Sequence, residues 1–249
     1  MRKRRFFMAV MMFAAVSMVI VSCKKDNNED FDPNVQTPTN PYNGHDYVDL
    51  GLSVKWATCN VGASQPEQYG NYFAWGEVAP KYYYDMGSYK WWTIVWIEDE
   101  NGGFWDVKSI NKYNVNKEYG KVDDKTTLDL SDDAARINMG GIWRMPTVAE
   151  QQELINKCTW SWIRKNGVYG YNVTSKINGN SIFLPAAGFY ADNELIDNED
   201  LAGCYASSSL SEESTHFYVI GFSKSGYVTD QEESVFERSY GTSIRGVCK

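Results

Sequence analysis

Short runs in which hydrophobic and polar residues alternate cover most of the chain after residue 45. The first run places Val48, Leu50, Leu52 and Val54 on one side, which predicts a half-buried strand. Further short strands, separated by Gly and Asn turns, are predicted at 171–173, 181–184, 205–208, 217–222, 227–229 and 243–247. Two other segments have helical signals, so the pattern as a whole predicts an α+β domain.

The strongest apolar run is WWTIVWI at 91–97. A turn sequence around Asn101-Gly102 and a second run, FWDV at 104–107, follow it, and this order is typical of a β-hairpin. Both faces of the first strand are apolar, because Trp, Ile and Val stand at odd and even positions alike. One face can pack on the core. The other face is either covered by another element or left as an apolar patch that binds a partner.

Two helices are predicted in the middle of the chain. Ser131-Asp132-Asp133 begins the first, because carboxylates in a first turn favour the positive end of a helix, and Gly140-Gly141 ends it. The second begins at Thr147 and extends to about Lys157. Its Thr147 and Glu150 have the spacing of a capping box, in which each side chain bonds the backbone N–H of the other residue.

Five aspartates lie before and within the start of the first helix: Asp123, Asp124, Asp129, Asp132 and Asp133. The helix start accounts for Asp132 and Asp133 without a metal ion. Calcium coordination by the whole set is an alternative that the sequence leaves open, because carboxylate oxygens are the ligands that Ca²⁺ prefers. No other cofactor is predicted.

The first 22 residues have the organisation of a secretory signal peptide. Four basic residues at 2–5 precede sixteen mostly apolar residues at 6–21. That run is shorter than the ~20 residues that a membrane-spanning helix needs. Ser22-Cys23 resembles the cleavage site of bacterial lipoproteins, in which the cysteine becomes an acylated N-terminus. Lipid chains on Cys23 would anchor the protein to a membrane, since more than one chain makes anchoring stable.

The segment 23–44 is predicted to be a flexible tether, because it is polar, acidic and proline-containing and has almost nothing to bury. Its acidic start, Asp26, Glu29 and Asp30, resembles the export tag of Bacteroidetes lipoproteins that face the cell exterior. We therefore expect an outer-membrane lipoprotein on the cell surface, with a single folded domain over 45–249.

The composition is acidic and aromatic. Removal of residues 1–22 takes away four basic and no acidic residues, so the net charge changes from −8 to −12. Such a chain is not expected to bind nucleic acid or an anionic membrane surface. It contains nine Trp and seventeen Tyr, and aromatic side chains dominate both cores and binding faces because they bury large areas with few rotatable bonds.

Four cysteines follow Cys23, and an even number in an exported protein favours disulfides. Three pairings are open, of which we predict Cys59–Cys158 and Cys204–Cys248. Metal ligation by these thiols is disfavoured, because no two of them lie close together in the sequence and only two histidines are present.

Six ordered motifs resemble a known group of proteins, the Bacteroidetes surface lipoproteins related to the Fibrobacter succinogenes major paralogous domain. They are GLSVKWA at 51–57, YFAWGE at 72–77, DDAAR at 132–136, WRMPT at 143–147, FLPAAG at 183–188 and SSS at 207–209. The resemblance covers about residues 45–249.

More distantly, RMPTVAEQQE at 144–153 resembles the Arg-Leu-Pro-Thr-Glu-Ala-Glu helix of formylglycine-generating enzymes, and 241–245 is similar to their final strand. This resemblance implies a C-type-lectin-like fold with short antiparallel strands, two short helices and long loops. It does not imply their activity, because those enzymes hold copper with two nearby cysteines, whereas Cys204 and Cys248 are 44 residues apart. The Glu-Pro-Asn and Trp-Asn-Asp motifs of true C-type lectins are also missing.

Variable proteins of diversity-generating retroelements are a third class that the chain resembles in its expected fold. They vary the surface around their last strands. The stretch 205–240 occupies the comparable place here and is rich in Tyr, Ser, Glu and Asp. Such residues combine rigid aromatic contacts with adaptable hydrogen bonds.

The sequence has no motif that favours catalysis. Ser207-Ser208-Ser209 near His216 is the only Ser/His neighbourhood, and no Gly-x-Ser-x-Gly elbow surrounds it. Carboxylate pairs such as Glu98 with Glu100 lie in predicted turns, which rarely hold the ~5 to 9.5 Å spacing that sugar cleavage needs. We therefore predict that the protein is not an enzyme, and an enzyme derived from the formylglycine-generating fold is the third-ranked alternative.

The sequence thus predicts a surface-anchored protein that binds a glycan or a surface protein through an aromatic and polar face. The candidate contact residues are Trp91, Trp92, Trp96 and Trp105 in the hairpin and Tyr205, His216, Tyr218 and Tyr240 in the late strands. The main alternative is a structural subunit of a surface appendage or envelope complex, in which the same aromatic face meets a fixed partner chain.

Overall fold

The computed structural model describes residues 39–98, 101, 104–196, 201–227 and 234–249. The signal peptide, Cys23 and residues 24–38 of the tether lie outside these residues, and what the sequence indicates for them stays a prediction. The C-terminal end predicted for the tether is wrong, because Asn40–Tyr42 form a strand that pairs with the strand after it. Within the described ranges, no helix has the length and apolar character needed to cross a membrane.

The described chain folds into fifteen short strands and two α-helices. The strands are β1 (Asn40–Tyr42), β2 (His45–Val48), β3 (Lys55–Asn60), β4 (Trp92–Glu98), β5 (Phe104–Ile110), β6 (Cys158–Lys165), β7 (Val168–Ser175), β8 (Ser181–Pro185), β9 (Phe189–Ala191), β10 (Glu194–Ile196), β11 (Ala202–Leu210), β12 (His216–Ser223), β13 (Gly226–Tyr227), β14 (Val235–Glu237) and β15 (Arg245–Cys248). The helices are α1 (Ala134–Met139) and α2 (Val148–Lys157), and 3₁₀ turns lie at Lys117–Tyr119 and Leu130–Asp132.

The strands form small antiparallel sheets. One sheet has the order β1-β2-β3-β15, a second β6-β7-β8, and a third β11-β12-β13 with β14 beside β12. The hairpins β4–β5 and β9–β10 are two-stranded sheets of their own. Because β15 pairs with β3, the last strand lies beside an early one, with Arg245 opposite Asn60 and Val247 opposite Trp56. The mostly antiparallel strands and two helices agree with the predicted α+β class.

The capping box of α2 is confirmed. The Thr147 hydroxyl accepts from the Glu150 N–H at 3.3 Å, and the Glu150 carboxylate accepts from the Thr147 N–H at 2.8 Å. Arg144 adds a two-pronged ion pair to the same carboxylate, with N···O distances of 2.8 and 2.5 Å. The first helix is also capped by a carboxylate, because Asp133 accepts from the Arg136 N–H. The start of each helix is thus fixed by residues adjacent to it in the chain.

The strand predicted over 48–54 is wrong. Val48, Leu50 and Val54 are buried as the alternation suggests, but β2 ends at Val48 and the chain bends before β3. The bend lies at Gly51, whose φ of +70° is a conformation that favours glycine and whose N–H donates to Asp49. A loop of this kind can bury alternate residues without pairing to a neighbouring strand.

The two largest of three clusters of buried side chains make up most of the described core. One contains Trp75, Trp143 and Phe217 and lies under α1 and β12. The other contains Trp56 and Leu154 and lies under α2. Seven of the nine Trp residues have described side chains that are buried or half-buried, so most of the aromatic content is used to build the domain.

Two arginines are buried in this interior without a carboxylate partner among the described residues. The five N–H groups of Arg245 donate to neutral oxygens, two of them to Asn60 Oδ1 at 3.0 and 2.8 Å and the others to the carbonyls of Ala57, Thr58 and Phe183. The Arg238 guanidinium lies 4.8 Å from the Trp75 ring centroid and donates to backbone carbonyls and a tyrosine hydroxyl. Each arginine connects segments that are distant in the sequence.

The predicted disulfides Cys59–Cys158 and Cys204–Cys248 are not formed. All four cysteines are free thiols, and only Cys59 is not fully buried. Cys158 and Cys204 lie in different core clusters, where burial raises the pKa of Cys158 to about 11 and that of Cys204 well above its usual range. Their apolar surroundings make them small hydrophobic core residues.

Candidate functional site

The base of the β4–β5 hairpin is fixed to the domain by Trp91. Its indole N–H donates to the Gly76 carbonyl at 3.2 Å, and its ring meets Tyr113 edge-on at a centroid distance of 6.1 Å. The Lys90 ammonium lies 4.2 Å from the same ring centroid. Trp91 is therefore a packing residue for the most part, and little of its ring is left for a ligand.

The rest of the hairpin runs in register from Trp92 opposite Ile110 to Glu98 opposite Phe104, as the turn signal predicted. Trp92 is half-buried against Tyr119, at a centroid distance of 6.0 Å. The next two residues on the same side, Ile94 and Trp96, are 41% and 67% exposed.

One face of this hairpin is therefore open to solvent near its tip, and we call Ile94 and Trp96 the hairpin patch. Charged Lys108 and Asp106 lie opposite them on β5. The side chain of Trp105, the fourth predicted hairpin contact, lies outside the described part of the structure.

Tyr205, predicted as a ligand contact, is instead a core residue. It is 2% exposed and stacks on Phe222 at 5.8 Å. Its hydroxyl donates to the Pro185 carbonyl at 3.0 Å and accepts from Asn60 Nδ2 at 3.2 Å. Burial raises its pKa to about 12. Its position on β11 directs its ring inward, so no external ligand reaches it.

The serine run and His216 do not form a catalytic group. Ser207, Ser208 and Ser209 are buried, and their hydroxyls bond to backbone groups of their own strand and of the chain around the start of α2. His216 Nδ1 lies 2.8 Å from the Thr215 hydroxyl and 3.2 Å from a carboxylate oxygen of Glu213. The serines therefore join β11 to α2.

Four of the five aspartates between 123 and 133 accept hydrogen bonds from other groups of the protein. Asp132 is buried, and Lys112 and a tyrosine hydroxyl donate to it at 2.5 and 2.7 Å, which lowers its pKa although burial opposes this. Asp129 accepts from lysines, and Asp123 and Asp133 accept from backbone N–H groups. Among the described residues, no group of three or more His, Cys, Asp or Glu side chains is arranged to hold a metal ion.

Two tyrosines that the sequence analysis did not single out are strongly exposed, and one of them is the most exposed aromatic residue of the described chain. Tyr82 is 94% exposed and Tyr83 is 64% exposed, whereas the next residue, Tyr84, is buried. Their loop is held in place, because Ser88 donates to the Tyr83 carbonyl at 2.8 Å and the Tyr84 hydroxyl donates to the Tyr72 carbonyl at 2.6 Å. The sequence signal was the run of three tyrosines itself.

The turn of the β9–β10 hairpin lies against this loop. Asn193 accepts from the Tyr84 N–H at 2.6 Å and donates to the Asp85 carboxylate at 2.8 Å. The neighbouring residue in the turn is Asp192, and both turn residues have positive φ, 48° and 69°. Tyr84 also stacks on Tyr190 of β9 at 5.2 Å. Two segments more than a hundred residues apart thus form one surface.

That surface continues to β14. The register of β12 and β14 places His216 opposite Glu237. Glu237 is half-buried, and burial raises the pKa of its carboxyl, with a further contribution from Asp192 that His216 opposes. Burial, together with the charges of Glu237 and Asp192, raises the pKa of Tyr240 to about 12. The Tyr240 ring is half-buried, so it is available at the edge of this surface.

We call this surface the acidic aromatic face. Its members are Tyr82, Tyr83, Asp85, Asp192, Glu237 and Tyr240. Of the predicted contacts in the late strands, Tyr240 belongs to it and His216 borders it, whereas Tyr218 is half-buried on β12 opposite Val235. Comparisons with protein-family models, with curated proteins and with solved structures gave no match.

Proposed function

We propose that this chain is a lipid-anchored binding module of the outer membrane that faces the cell exterior. In this proposal, acylated Cys23 and the tether hold a C-type-lectin-like domain, which takes a glycan or protein ligand without chemical turnover. The short antiparallel strands, the two short helices and the long connections support that fold.

The observation that carries the proposal is the pair Tyr82 and Tyr83, whose rings lie in solvent on a loop that is held by hydrogen bonds. The Tyr83 carbonyl accepts a hydrogen bond from Ser88. The next two residues, Tyr84 and Asp85, are both hydrogen-bonded to Asn193. A fixed loop loses little entropy when a ligand binds, so its aromatic contacts contribute fully to affinity. Aromatic rings on such a loop suit either a sugar face or an apolar or cationic protein side chain.

The arrangement of polar groups also favours binding over catalysis. Catalysis needs a nucleophile and a base within mutual reach, and the best sequence candidates, the serines of β11, bond to backbone groups instead. The carboxylates of Asp132 and Glu150 are bonded to Lys112 and Arg144. Such groups stabilise the fold.

A second candidate function is a structural subunit of a surface assembly. The hairpin patch favours it, because Ile94 and Trp96 are exposed on a two-stranded sheet that has no further strand on either edge within the described chain. Exposed apolar residues beside open strand edges are typical of surfaces that another chain covers.

The test is a screen of the full chain, in a non-ionic detergent, against arrays of glycans and of cell-surface proteins. Two variants accompany it, Tyr82→Ser/Tyr83→Ser and Ile94→Ser/Trp96→Ser. We expect wild-type binding that the tyrosine variant weakens by about tenfold or more, because each aromatic contact contributes ~0.5–1.5 kcal/mol. We expect the hairpin variant to bind normally.

The size of the wild type and of the two variants in solution tests the second candidate function, the structural subunit. Self-association of the wild type that is lost only in the Ile94→Ser/Trp96→Ser variant, together with no array ligand, would replace the binding module by the structural subunit.

A further inference from the structure

We infer that the acidic aromatic face binds the ammonium or guanidinium groups of a Lys- or Arg-rich protein segment. This inference rests on the proposed binding function and names the chemistry of its ligand.

The carboxylates of Asp192 and Glu237 have no hydrogen bond or ion pair within the described chain. Glu237 is half-buried, which makes an unpaired negative charge costly, and the nearby charge of Asp192 adds repulsion. Other carboxylates of this protein with similar or greater burial are paired, as Glu150 is with Arg144. A cation from a partner would stabilise both unpaired carboxylates at once.

The rings of the face suit the same ligand. Tyr82 and Tyr83 are exposed, and Tyr240 is half-exposed although its ring stacks on Phe189. A cation over an aromatic ring is attracted by the negative face of the ring. The interior of this protein shows the arrangement directly. The Lys112 ammonium lies 4.8 Å from the Tyr113 ring centroid and 2.5 Å from an Asp132 oxygen. A lysine of the partner would contact a tyrosine ring and a carboxylate of the face in the same way.

The cations nearest the face already have other partners. Lys81 donates to Glu77 at 3.1 Å and to the Ser88 carbonyl at 3.2 Å, and its ammonium also lies near the rings of Tyr84 and Tyr89. His216 contacts Glu213, and from the neighbouring strand it also lowers the pKa of the Glu237 carboxyl without forming an ion pair with it. With a charge of −12 after removal of residues 1–22, the long-range field also favours a positive partner and speeds its association.

The extent of the face indicates a segment with several cations and not a single amine. Tyr83 and Asp85 lie at one end, the Asp192 turn in the middle, and Glu237 with Tyr240 at the other end. One amine cannot contact all of these carboxylates and rings at once. Several cationic side chains of one partner can, and their contributions to the binding free energy then add in a single binding event.

The test is a fluorescence anisotropy titration of the full chain, in non-ionic detergent at about 0.15 M salt, with a labelled octalysine peptide. Octaglutamate is the negative control peptide. The charge variant is Asp192→Asn/Glu237→Gln, and its matched control is Glu98→Gln/Glu118→Gln, which removes the same two charges from exposed sites elsewhere. The ring variant is Tyr82→Ser/Tyr83→Ser, with Tyr82→Phe/Tyr83→Phe as its control. Thermal unfolding verifies that all variants are folded.

We expect octalysine to bind the wild type and both control variants equally, and octaglutamate to bind none of them. The charge variant should bind octalysine about tenfold more weakly, and the ring variant about fivefold more weakly. Equal losses in the charge variant and its matched control would show only general charge attraction and would overturn the inference, as would no binding at about 0.15 M salt. If octalysine does not bind while an array ligand is lost in the ring variant, the proposed function stands and the cationic ligand does not.

Discussion

The interior and the acidic aromatic face differ in the hydrogen-bond partners of their charged side chains. Arg238 and Arg245 are buried, and the described structure gives their guanidinium groups several hydrogen bonds each to neutral oxygens. Asp192 and Glu237 lie at the surface with no hydrogen bond or ion pair among the described residues. The interior therefore satisfies its own charges, whereas two carboxylates of the face have no bonded partner among the described residues, as the proposed cationic ligand requires. This contrast distinguishes a structural polar group from a binding one.

The largest effect is expected from the interior. Arg245→Met should lower the free energy of unfolding by about 4 kcal/mol, because the Asn60 amide oxygen and three carbonyls lose their donors in a buried site. Arg245→Lys keeps the charge but not the fork of donors, and it should still lose about half of that amount. Urea denaturation measures both variants. A loss below about 1 kcal/mol for Arg245→Met would mean that the interior does not depend on these bonds.

A smaller loss is expected at the ion pair of Asp132 with Lys112, in which the carboxylate is buried and the lysine half-buried. Asp132→Asn should destabilise the protein by about 2 kcal/mol, because Lys112 loses one of its two carboxylate partners and the buried Tyr113 hydroxyl loses its charged acceptor. Glu118→Gln, at an exposed position, is the control and should have almost no effect. The folded-state pKa of Asp132 lies below its ordinary value of 3.8, so its contribution is complete above pH 3.8 and is lost as the pH falls further. An unchanged acid midpoint in the variant would contradict this account.

The cap of α2 should contribute about 1 kcal/mol. Thr147→Ala removes the side-chain acceptor for the Glu150 N–H, which leaves one N–H of the first turn without a partner. Thr159→Ala, an exposed position on β6, removes the same atoms without a cap. Thermal unfolding should distinguish the two variants, and equal midpoints would show that the cap does not contribute to stability.

The smallest change in stability is expected on the acidic aromatic face, and it is a gain, whereas the other variants lose stability. Glu237→Gln should stabilise the free protein slightly at neutral pH, by less than ~1 kcal/mol, since it removes a half-buried charge whose burial and repulsion by Asp192 together outweigh the attraction of His216. The folded-state pKa of Glu237 lies above 4.5, so its ionisation lowers stability. Stability of the wild type relative to the variant should therefore rise as the pH is lowered from neutral toward 4.5. Denaturation at several pH values measures it, and a destabilised variant would mean that Glu237 has a partner within the fold.

Features fixed by neighbouring residues could be predicted from the sequence, and features that depend on distant contacts could not. The capping box and the hairpin follow from residues next to one another in the chain, so both were predicted. The burial pattern of 48–54 was also correct, but a loop pinned by Asp49 at Gly51 satisfies that pattern as well as a strand does.

The candidate site was predicted only in part. Which late tyrosine points inward depends on how β11 meets its neighbours, and so Tyr205 was assigned to the surface although it lies in the core. The exposure of Tyr82 and Tyr83 depends on a loop that Asn193 holds from 109 residues away. Local sequence patterns contain no information on such a contact.

The most direct test of the account is hydroxyl-radical footprinting of the full chain with and without octalysine, read by mass spectrometry. The peptide should protect Tyr82, Tyr83 and Tyr240 from oxidation and leave Trp96, on the hairpin patch, as reactive as before. Protection of Trp96 alone, or of none of the four residues, would contradict the assignment of the binding surface to the acidic aromatic face.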